Sequence, residues 1–202
     1  MSGSKQGETK AGDVSPLGTR AEQLIAEAAA MPGPAPVHLW NPPDCGRIDI
    51  RIDRAGTWFH EGEPIRREAL VRLFARVLRR QADGGFVLVT PVEKFAISVE
   101  DVPFLAVELI VDDEGGVPRL LFVTNLGEVV PLDADHPLRI AVPDASDGLV
   151  PYLTVRPGLE ARLTRSVVHD LVEAASVRGD TLGVWSAGQF FVIGAAGETV
   201  GA

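Results

Sequence analysis

The strongest constraint on the fold is an internal repeat that divides the chain into two similar halves. When the first half is moved along the sequence by 94 positions, Trp58 falls on Tyr152, and the apolar residues of one predicted helix fall on those of another. After one inserted residue, Phe95 falls on Phe190. Because each half follows the order strand, turn, helix, strand, strand, the repeat predicts two related units; chance matching of apolar pairs is the alternative. Two such units usually pack against each other and leave a cleft, where ligand sites are common.

Hydrophobic periodicity assigns the strands and helices within each unit. Residues 47–52 alternate between polar and apolar, which predicts a half-buried strand that returns at 57–60. Apolar residues at helical spacing predict helices over 66–81 and 159–176. Further strands are predicted at 86–90, 94–99, 104–111, 119–124, 129–132, 138–142, 152–155, 182–185 and 189–193. The predicted fold is α+β, with two strand-strand-helix-strand-strand units, the second of which has extra antiparallel strands that form a small barrel.

The first 36 residues differ in composition from the rest of the chain. Gly, Ser, Ala, Pro, Lys and Glu dominate them, and the segment ends in Pro-Gly-Pro-Ala-Pro. Such a segment has too little apolar surface to offset the entropy of ordering, so residues 1–36 are predicted to be a flexible tail. A short helix over 20–30 is expected to be transient, and a partner-binding helix is the alternative. The folded part then divides into domains at 37–100 and 101–202.

Charge and cysteine content exclude several classes of protein. The 202 residues carry a net charge of −9, which argues against binding to a nucleic-acid polymer or an anionic membrane. A single cysteine, Cys45, excludes an internal disulfide. The polar N-terminus lacks a secretory signal, and no apolar run approaches the length of a membrane span. We therefore expect a cytoplasmic protein.

No catalytic, metal or cofactor motif is present in the sequence, and none of these groups is expected. It contains no Gly-x-Ser-x-Gly, no phosphate-binding glycine loop and no paired histidines at metal-ligand spacing. His169 is interpreted as a partly exposed helix residue. Glu93, Glu100 and Asp101 are the candidates for a general base if the protein is an unrecognised hydrolase or transferase.

Arginine is distributed unevenly along the chain. Nine arginines lie within residues 40–80, whereas 101–202 carry six arginines, no lysine and fifteen acidic residues. A guanidinium group suits phosphate or carboxylate, although a solvated helix face explains most of the arginines in the first helix. Arg66 and Arg67 follow a turn at a predicted helix start, where free N–H groups and the helix dipole favour an anion. A similar turn recurs at Arg156.

A set of ordered segments is shared with a known bacterial family. These segments are Trp40-Asn41-Pro42, Ile48 to Ile52, Gly56-Thr57-Trp58, Gly62 to Phe74, Leu88 to Lys94, Val99 to Phe104, Thr124-Asn125 and Leu182 to Ser186. They resemble the uncharacterised family called domain of unknown function 1285. The resemblance implies a duplicated core and a C-terminal domain like a pleckstrin-homology barrel. It also implies a nucleotide-like ligand at the domain interface and a role in signalling, without an established activity.

The repeat, the arginine bias and the resemblance together predict a ligand site between the two units. The predicted ligand-binding residues are Arg51, Arg66, Arg67 and Arg156 for the anion, Thr90, Glu93, Glu100 and Asn125 for polar specificity, and Trp58 for an aromatic wall. The preferred interpretation of the acids Glu100 and Asp101 is pairing with arginines across the junction, and packing is preferred for Trp58 and Trp185. The predicted function is a non-enzymatic ligand-binding module in bacterial signal transduction. A protein–protein adaptor that uses the acidic second unit and the tail is the alternative.

Overall fold

The fold is α+β, as the sequence predicts, with short helices placed against strand-rich sheets. The computed structural model describes residues 35–113, 115–141 and 149–196. Within these ranges the chain forms three sheets and two α-helices, and neither helix is long and apolar enough to cross a membrane. The predicted tail, with its helix over 20–30, lies outside the described residues apart from its last two positions.

The first domain forms one six-stranded sheet, called sheet A. Its strands follow the order β3-β2-β1-β6-β5-β4, in which β1 and β6 run parallel and every other pair is antiparallel. Helix α1 lies between β3 and β4 in the chain. A 3-10 turn at Val37–Leu39 precedes β1. The elements are β1 (Asp44–Ile52), β2 (Trp58–His60), β3 (Glu63–Pro64), α1 (Glu68–Arg76), β4 (Leu78–Arg80), β5 (Phe86–Val89) and β6 (Lys94–Val99).

The second domain forms a six-stranded sheet B and a three-stranded sheet C. Sheet B has the order β10-β11-β12-β7-β8-β9, with β12 parallel to β7, and sheet C has the order β13-β14-β15. The elements are β7 (Phe104–Asp112), β8 (Arg119–Thr124), β9 (Val129–Pro131), β10 (Leu138–Ala141), β11 (Val150–Arg156), β12 (Leu159–Leu163), α2 (Arg165–Glu173), β13 (Ser176–Arg178), β14 (Thr181–Ser186) and β15 (Gln189–Ala195).

Both helices are shorter than predicted, because strands occupy part of each predicted helical segment. Helix α1 ends at Arg76, and Val77 leaves the helical region with φ −101° and ψ 7°. The carbonyl of Val77 instead accepts a hydrogen bond from the N–H of Val89, and β4 pairs with β5. In the other segment, 159–163 alternates between fully and partly buried residues and forms β12. Pairing with neighbouring strands therefore outweighs the helical spacing at both sites.

The order of elements in the two domains fits the duplicated layout that the repeat predicts. Strands β2 and β11, helices α1 and α2, and strands β6 and β15 occupy corresponding positions in the two orders. The apolar core is continuous across the domains and includes Trp58 of the first and Phe104, Phe122 and Leu153 of the second. The extra strands of the second domain, β7–β9, precede the repeated unit and extend sheet B.

Candidate functional site

The two domains meet at one end of sheet A. Strand β6 runs parallel to β1, with Val99 opposite Ile52, so the end of β6 lies beside the β1–β2 turn at residues 53–57. The chain then passes through residues 100–103 into β7 of the second domain. This topology brings the β1–β2 turn, the domain linker and the start of sheet B together, and we call this region the junction.

Arginines and acids alternate across the junction. Arg51 Nη1 donates to Glu100 Oε1 at 2.6 Å, and Arg162 Nη1 donates to Asp101 Oδ2 at 3.2 Å. Arg162 also donates to the carbonyl oxygen of Arg54 at 2.6 Å and so bridges the two domains. The preferred interpretation of the two acids, pairing with arginines, is therefore confirmed. As a consequence, a ligand that binds Arg51 must compete with Glu100 for its guanidinium group.

A tyrosine and a second arginine pair extend this network into sheet B. Tyr152 donates its hydroxyl to Asp101 at 3.2 Å, and burial, the charge of Asp101 and that hydrogen bond raise the pKa of Tyr152. Arg139 lies 4.2 Å from the centre of the Tyr152 ring and binds Glu160 through two 2.7 Å hydrogen bonds. Hydrogen bonding to Glu160 raises the pKa of Arg139, and the two parallel hydrogen bonds form a bidentate pair.

Asn125 connects the turn after β8 to the first domain. Its Oδ1 accepts a hydrogen bond from the N–H of Leu105 at 3.1 Å, and its Nδ2 donates to the carbonyl of Gly56 at 3.5 Å. A Cβ atom at Gly56 would lie 2.7 Å from Asn125 Nδ2, and Gly56 has a φ of +75°. The close approach of the two turns thus depends on glycine. Asn125 is predicted to give polar specificity, and in the structure its side chain links the turn after β8 to the β1–β2 turn of the first domain.

Arg156 extends from the end of β11 to helix α1 of the first domain. Its Nη2 donates to the carbonyl of Ala75 at 3.1 Å and lies 3.6 Å from Glu128 Oε2. Its guanidinium lies 5.4 Å from the centre of the Phe104 ring. The remaining Nε atom is buried and has no hydrogen-bond partner among the described residues. Arg156 therefore joins the domains while one of its N–H donors has no acceptor.

Trp58 occupies the core, as the packing interpretation predicts, rather than an open wall. It is 1% exposed, and its ring stacks on Phe74 of α1 at a centroid distance of 6.2 Å. Its Nε1 atom is also buried and has no hydrogen-bond partner in the described part of the chain, and the same holds for Nε2 of His60 on the same strand. Phe74 and Ala75 are consecutive residues, so the side chains of Trp58 and Arg156 contact the same turn of α1.

The structure does not bring Thr90 and Glu93 to the junction, unlike most of the other predicted ligand residues. Both lie in the turn before β6, at the end where Lys94 pairs with Asp44. The six residues of β6 separate them from Val99 by about 20 Å at the usual rise of a strand. Thr90 is buried, and its hydroxyl accepts from the N–H of Glu93 and donates to the carbonyl of the same residue. Its role here is to hold the turn.

Arg66 and Arg67 lie just before α1 and are both exposed. The register of β2 and β3 places them at the same end of sheet A as the β1–β2 turn. Arg67 is the N-cap of α1 without a side-chain hydrogen bond to the helix, and neither side chain forms an ion pair in the described part of the chain. They are therefore positioned at the rim of the junction with their charges available.

Two family models match consecutive parts of the chain. The model described as "Domain of unknown function (DUF1285), N-terminal domain" matches residues 35–102, and the one described as "Protein of unknown function (DUF1285), C-terminal domain" matches 103–193. A solved structure of a DUF1285 family protein from Silicibacter pomeroyi DSS-3 is 44% identical, and the match covers 87% of this chain and 96% of that one with a TM-score of 0.78. The chain belongs to the DUF1285 family.

A second solved DUF1285 protein and the curated proteins complete the comparison. The DUF1285 family protein from Shewanella baltica OS155 is 26% identical, and the match covers 61% of this chain and 90% of that chain with a TM-score of 0.49. A search among curated proteins gives no match. The two family models and the Silicibacter pomeroyi structure confirm the predicted DUF1285 membership, and the comparisons assign no activity.

Three residues of the DUF1285 junction escaped sequence reasoning as site residues, namely Arg54, Arg139 and Arg162. Arg162 was hidden because residues 159–163 were assigned to a helix, whereas their alternation places it on the polar side of β12. Arg54 contributes its backbone carbonyl, for which a sequence carries no signal. The alternation of apolar and charged residues in 159–163 was the signal that could have identified Arg162.

His169 of the DUF1285 chain is the exposed helix residue that the sequence predicts. Its side chain is 71% exposed, and its Nδ1 lies 3.9 Å from Asp170 Oδ1 and 3.8 Å from Glu173 Oε1. The imidazole nitrogen of His169 and one carboxylate oxygen each of Asp170 and Glu173 lie within 4.8 Å of one another on the surface of α2. Solvated ion pairs of this kind contribute little to stability.

Proposed function

We propose that this protein is a non-enzymatic module that binds a small anionic ligand at the junction and acts in signalling. The observation that carries the proposal is the pair of buried donors, Trp58 Nε1 and Arg156 Nε, without partners among the described residues. A buried donor without an acceptor costs about 1–3 kcal/mol, so such atoms are uncommon in folded proteins and call for a bound acceptor.

The chemistry of these donors defines the class of ligand. The indole N–H and the guanidinium N–H can only donate hydrogen bonds, so both require an acceptor. Arg156 adds a positive charge, which favours a phosphate or carboxylate over a neutral carbonyl. Arg66 and Arg67 at the rim attract the same ligands through their unpaired charges. A nucleotide-like molecule carries acceptors of this kind, and the family resemblance points to the same class.

The proposal excludes a general-base role for the acids at the junction. Glu100 binds Arg51, and Asp101 binds both Arg162 and Tyr152. These hydrogen bonds occupy the carboxylate oxygens that a general base would need to take a proton from its substrate. Glu93 lies at the opposite end of β6. We therefore favour binding over hydrolysis or group transfer.

Three finer statements belong to the same proposal. The first is duplication of one ancestral unit, which the corresponding order of elements supports. The second is the likeness of the second domain to a pleckstrin-homology barrel, which the two strand-rich sheets B and C of this domain favour. The third is a cytoplasmic location, which the charge and the absence of disulfide-forming cysteine pairs favour.

Thermal-shift and calorimetric titrations with nucleoside mono-, di- and triphosphates, dinucleotides and cyclic dinucleotides test the proposal. A ligand at a hundredfold excess over its Kd stabilises the folded state by about 2.7 kcal/mol. We expect Arg156→Gln to weaken binding at least tenfold. Arg119→Gln is the matched control, because Arg119 lies in the same domain and its nearest acid, Asp112, is also on sheet B.

Two outcomes would contradict the proposal. One is the absence of a thermal shift with every compound in the panel at millimolar concentration. The other is a ligand whose Kd changes equally in the Arg156→Gln and Arg119→Gln variants, because the junction would then have no special role. Circular dichroism of each variant establishes that its fold is retained before the titrations are compared.

A further inference from the structure

The outer face of sheet C presents an exposed aromatic cluster. Trp185 is 43% exposed and Val192 is 51% exposed, although both belong to regular strands. Phe190 lies directly opposite Trp185 in the β14–β15 pair, and the two rings are 5.2 Å apart at an angle of 54°. We call Trp185, Phe190, Val192 and the neighbouring Arg178 the aromatic platform. Exposed aromatic surface of this kind is unfavourable in water and marks contact sites.

A glycine fixes the orientation of the platform. A Cβ atom at Gly183 would lie 2.6 Å from Cζ of Phe190 and 2.5 Å from the carbonyl oxygen of Phe191. The Phe190 ring therefore lies across the strand at Gly183, where any other residue would displace it. Val192 is paired directly with Gly183 on the adjacent strand. Close packing on Gly183 therefore holds the Phe190 ring in place before any partner arrives.

Sheet C is also anchored rigidly behind the platform. Ser186 is 1% exposed, and its Oγ accepts a hydrogen bond from the N–H of Leu120 at 3.0 Å and donates to the carbonyl of Leu132 at 2.6 Å. The N–H of Ala187 donates to the carbonyl of Pro118 at 2.9 Å. These bonds attach the end of β14 to sheet B. A pre-organised surface loses little conformational entropy on binding, which favours affinity.

Arg178 supplies an unpaired positive charge to this surface. Its guanidinium lies 5.7 Å from the centre of the Trp185 ring and 5.8 Å from that of Phe190. Among the described residues no carboxylate forms an ion pair with it, whereas Arg119, Arg139, Arg156 and Arg162 of the same domain each lie within 4.0 Å of a carboxylate oxygen. The planar group is held by the rings, and its N–H donors are free for a carboxylate.

We propose that the aromatic platform docks a segment of a partner protein that places one carboxylate beside a large apolar side chain. Tryptophan, phenylalanine and arginine clustered on a rigid face form the combination typical of interaction hot spots. Arg178 selects the carboxylate, and the rings with Val192 bind the apolar side chain. The remainder of the second domain is acidic, so further negative charges on the partner weaken binding. This partner differs in kind and in position from the ligand of the junction.

Selection from a library of random 12-residue peptides displayed on phage, with the full chain as bait, tests this proposal. Enriched peptides are expected to carry one Asp or Glu within three residues of Phe, Leu or Trp. Synthetic copies of these peptides should bind Trp185→Ala at least tenfold more weakly. Arg178→Glu should change the selected charge from acidic to basic. Arg165→Glu, which reverses another exposed arginine of the domain on α2, should leave the selected peptides unchanged.

The possible outcomes separate this surface from the junction and from a stacking site. Peptides whose affinity is unaffected by Trp185→Ala would overturn the proposal, as would a selection without enrichment. Quenching of Trp185 fluorescence by adenosine monophosphate, with no peptide binding, would also overturn it and identify a base-stacking surface. Trp185→Phe retains an aromatic ring and should preserve most of the peptide affinity, which distinguishes loss of the platform from loss of folding.

Discussion

The two domains use the same order of elements, but only the first joins them into a single sheet. In the first domain, β1 and β6 pair in parallel, so the strands before and after α1 share one hydrogen-bonded sheet. In the second, the corresponding strands β10 and β15 lie side by side in the described structure without entering a common sheet. A continuous ladder of backbone hydrogen bonds therefore unites the first domain, whereas isolated hydrogen bonds and side-chain contacts join the two sheets of the second.

The difference indicates which substitutions should destabilise each domain. A ladder of backbone hydrogen bonds tolerates many side-chain substitutions, because the bonds do not depend on side-chain identity. Sheet C instead depends on a small set of local contacts around Gly183 and Ser186. Substitutions at these positions should affect the second domain strongly and leave sheet A intact.

The largest effect is expected for Gly183→Ala. The added Cβ would lie 2.5 Å from the backbone oxygen of Phe191, which cannot move without separating β14 from β15. We expect the free energy of unfolding of the second domain to fall by about 3 kcal/mol, as for severe overpacking. Urea denaturation measures the loss, and amide exchange locates it in sheet C.

Gly194→Ala is the matched control for this substitution. It lies in the same hairpin, and its Cβ would meet only the side-chain Cδ1 of Leu149 at 3.3 Å, which can adjust. Equal destabilisation by the two alanines would show that the hairpin does not depend on the close packing at Gly183. Faster exchange in sheet A would contradict the separation of the two domains.

Ser186→Ala should have the next largest effect. It leaves the N–H of Leu120 and the carbonyl of Leu132 without their side-chain partner in a buried site. Loss of such a partner costs about 2 kcal/mol. Thermal and urea denaturation should show this loss, whereas Ser166→Ala, at an exposed position, should change stability by less than about 0.5 kcal/mol. A neutral Ser186→Ala would refute the anchoring of sheet C through this hydroxyl.

A smaller effect is expected at the contact between the domains. Gly56→Ala should cost about 1.5 kcal/mol, because it combines a φ of +75° with a Cβ placed 2.7 Å from Asn125 Nδ2. In an Asn125→Ala background the 2.7 Å clash disappears, while the backbone strain and a 3.3 Å contact with the Leu105 side chain remain. We therefore expect a double-mutant cycle to give a coupling energy of about 0.5–1 kcal/mol. Strict additivity would show that the two turns do not touch in solution.

The smallest effect is a pH dependence confined to the second domain. Burial acts to raise the pKa of Asp133, but hydrogen bonds from the side chain and backbone of His136, its charge, and the N–H of Asp135 outweigh burial and hold this pKa below 3.8. Since the folded-state pKa lies below the unfolded one, the contribution to stability is present above about pH 4 and is lost as the pH falls through the folded-state pKa. Asp133→Asn should abolish it.

Urea denaturation of the two proteins between pH 2 and pH 7 measures this difference. The stability of the native protein should fall more than that of Asp133→Asn only at the acidic end of the range. His136→Ala should reduce the difference partly, because the backbone hydrogen bonds to Asp133 remain. A difference that instead develops near neutral pH would point to the histidine and contradict this assignment.

Most strands were predictable from the sequence, and four were not. Alternation and turn residues locate β1, β2 and the longer strands of both domains to within a few residues. Strands β3 and β13 are missed because their two and three residues carry little periodicity, whereas β4 and β12 are missed because they lie inside segments whose apolar residues also fit helical spacing. Local pattern thus identifies an element only when one periodicity fits the segment better than the other.

The sequence predicts the chemical character of the candidate site, an interface that carries arginines, but only some of its residues. Arginine bias and the repeat indicated an interface with arginines, and Arg51, Asn125 and Arg156 do lie at the junction. Thr90 and Glu93 do not, because the direction of β6 places them at the opposite end of sheet A. The direction in which a strand crosses a sheet depends on its partner, which a sequence pattern does not specify.

The sequence by itself determined the family, the α+β class and the positions of the long strands, because these properties follow from local periodicity, turn chemistry and ordered motifs. Only the tertiary structure decided the parallel pairing of β1 with β6, the burial of Trp58 and the exposure of Trp185. The two tryptophans occupy similar apolar patterns. Which of them is covered depends on whether a helix packs over its face of the sheet, and that choice is made by contacts between residues far apart in the chain.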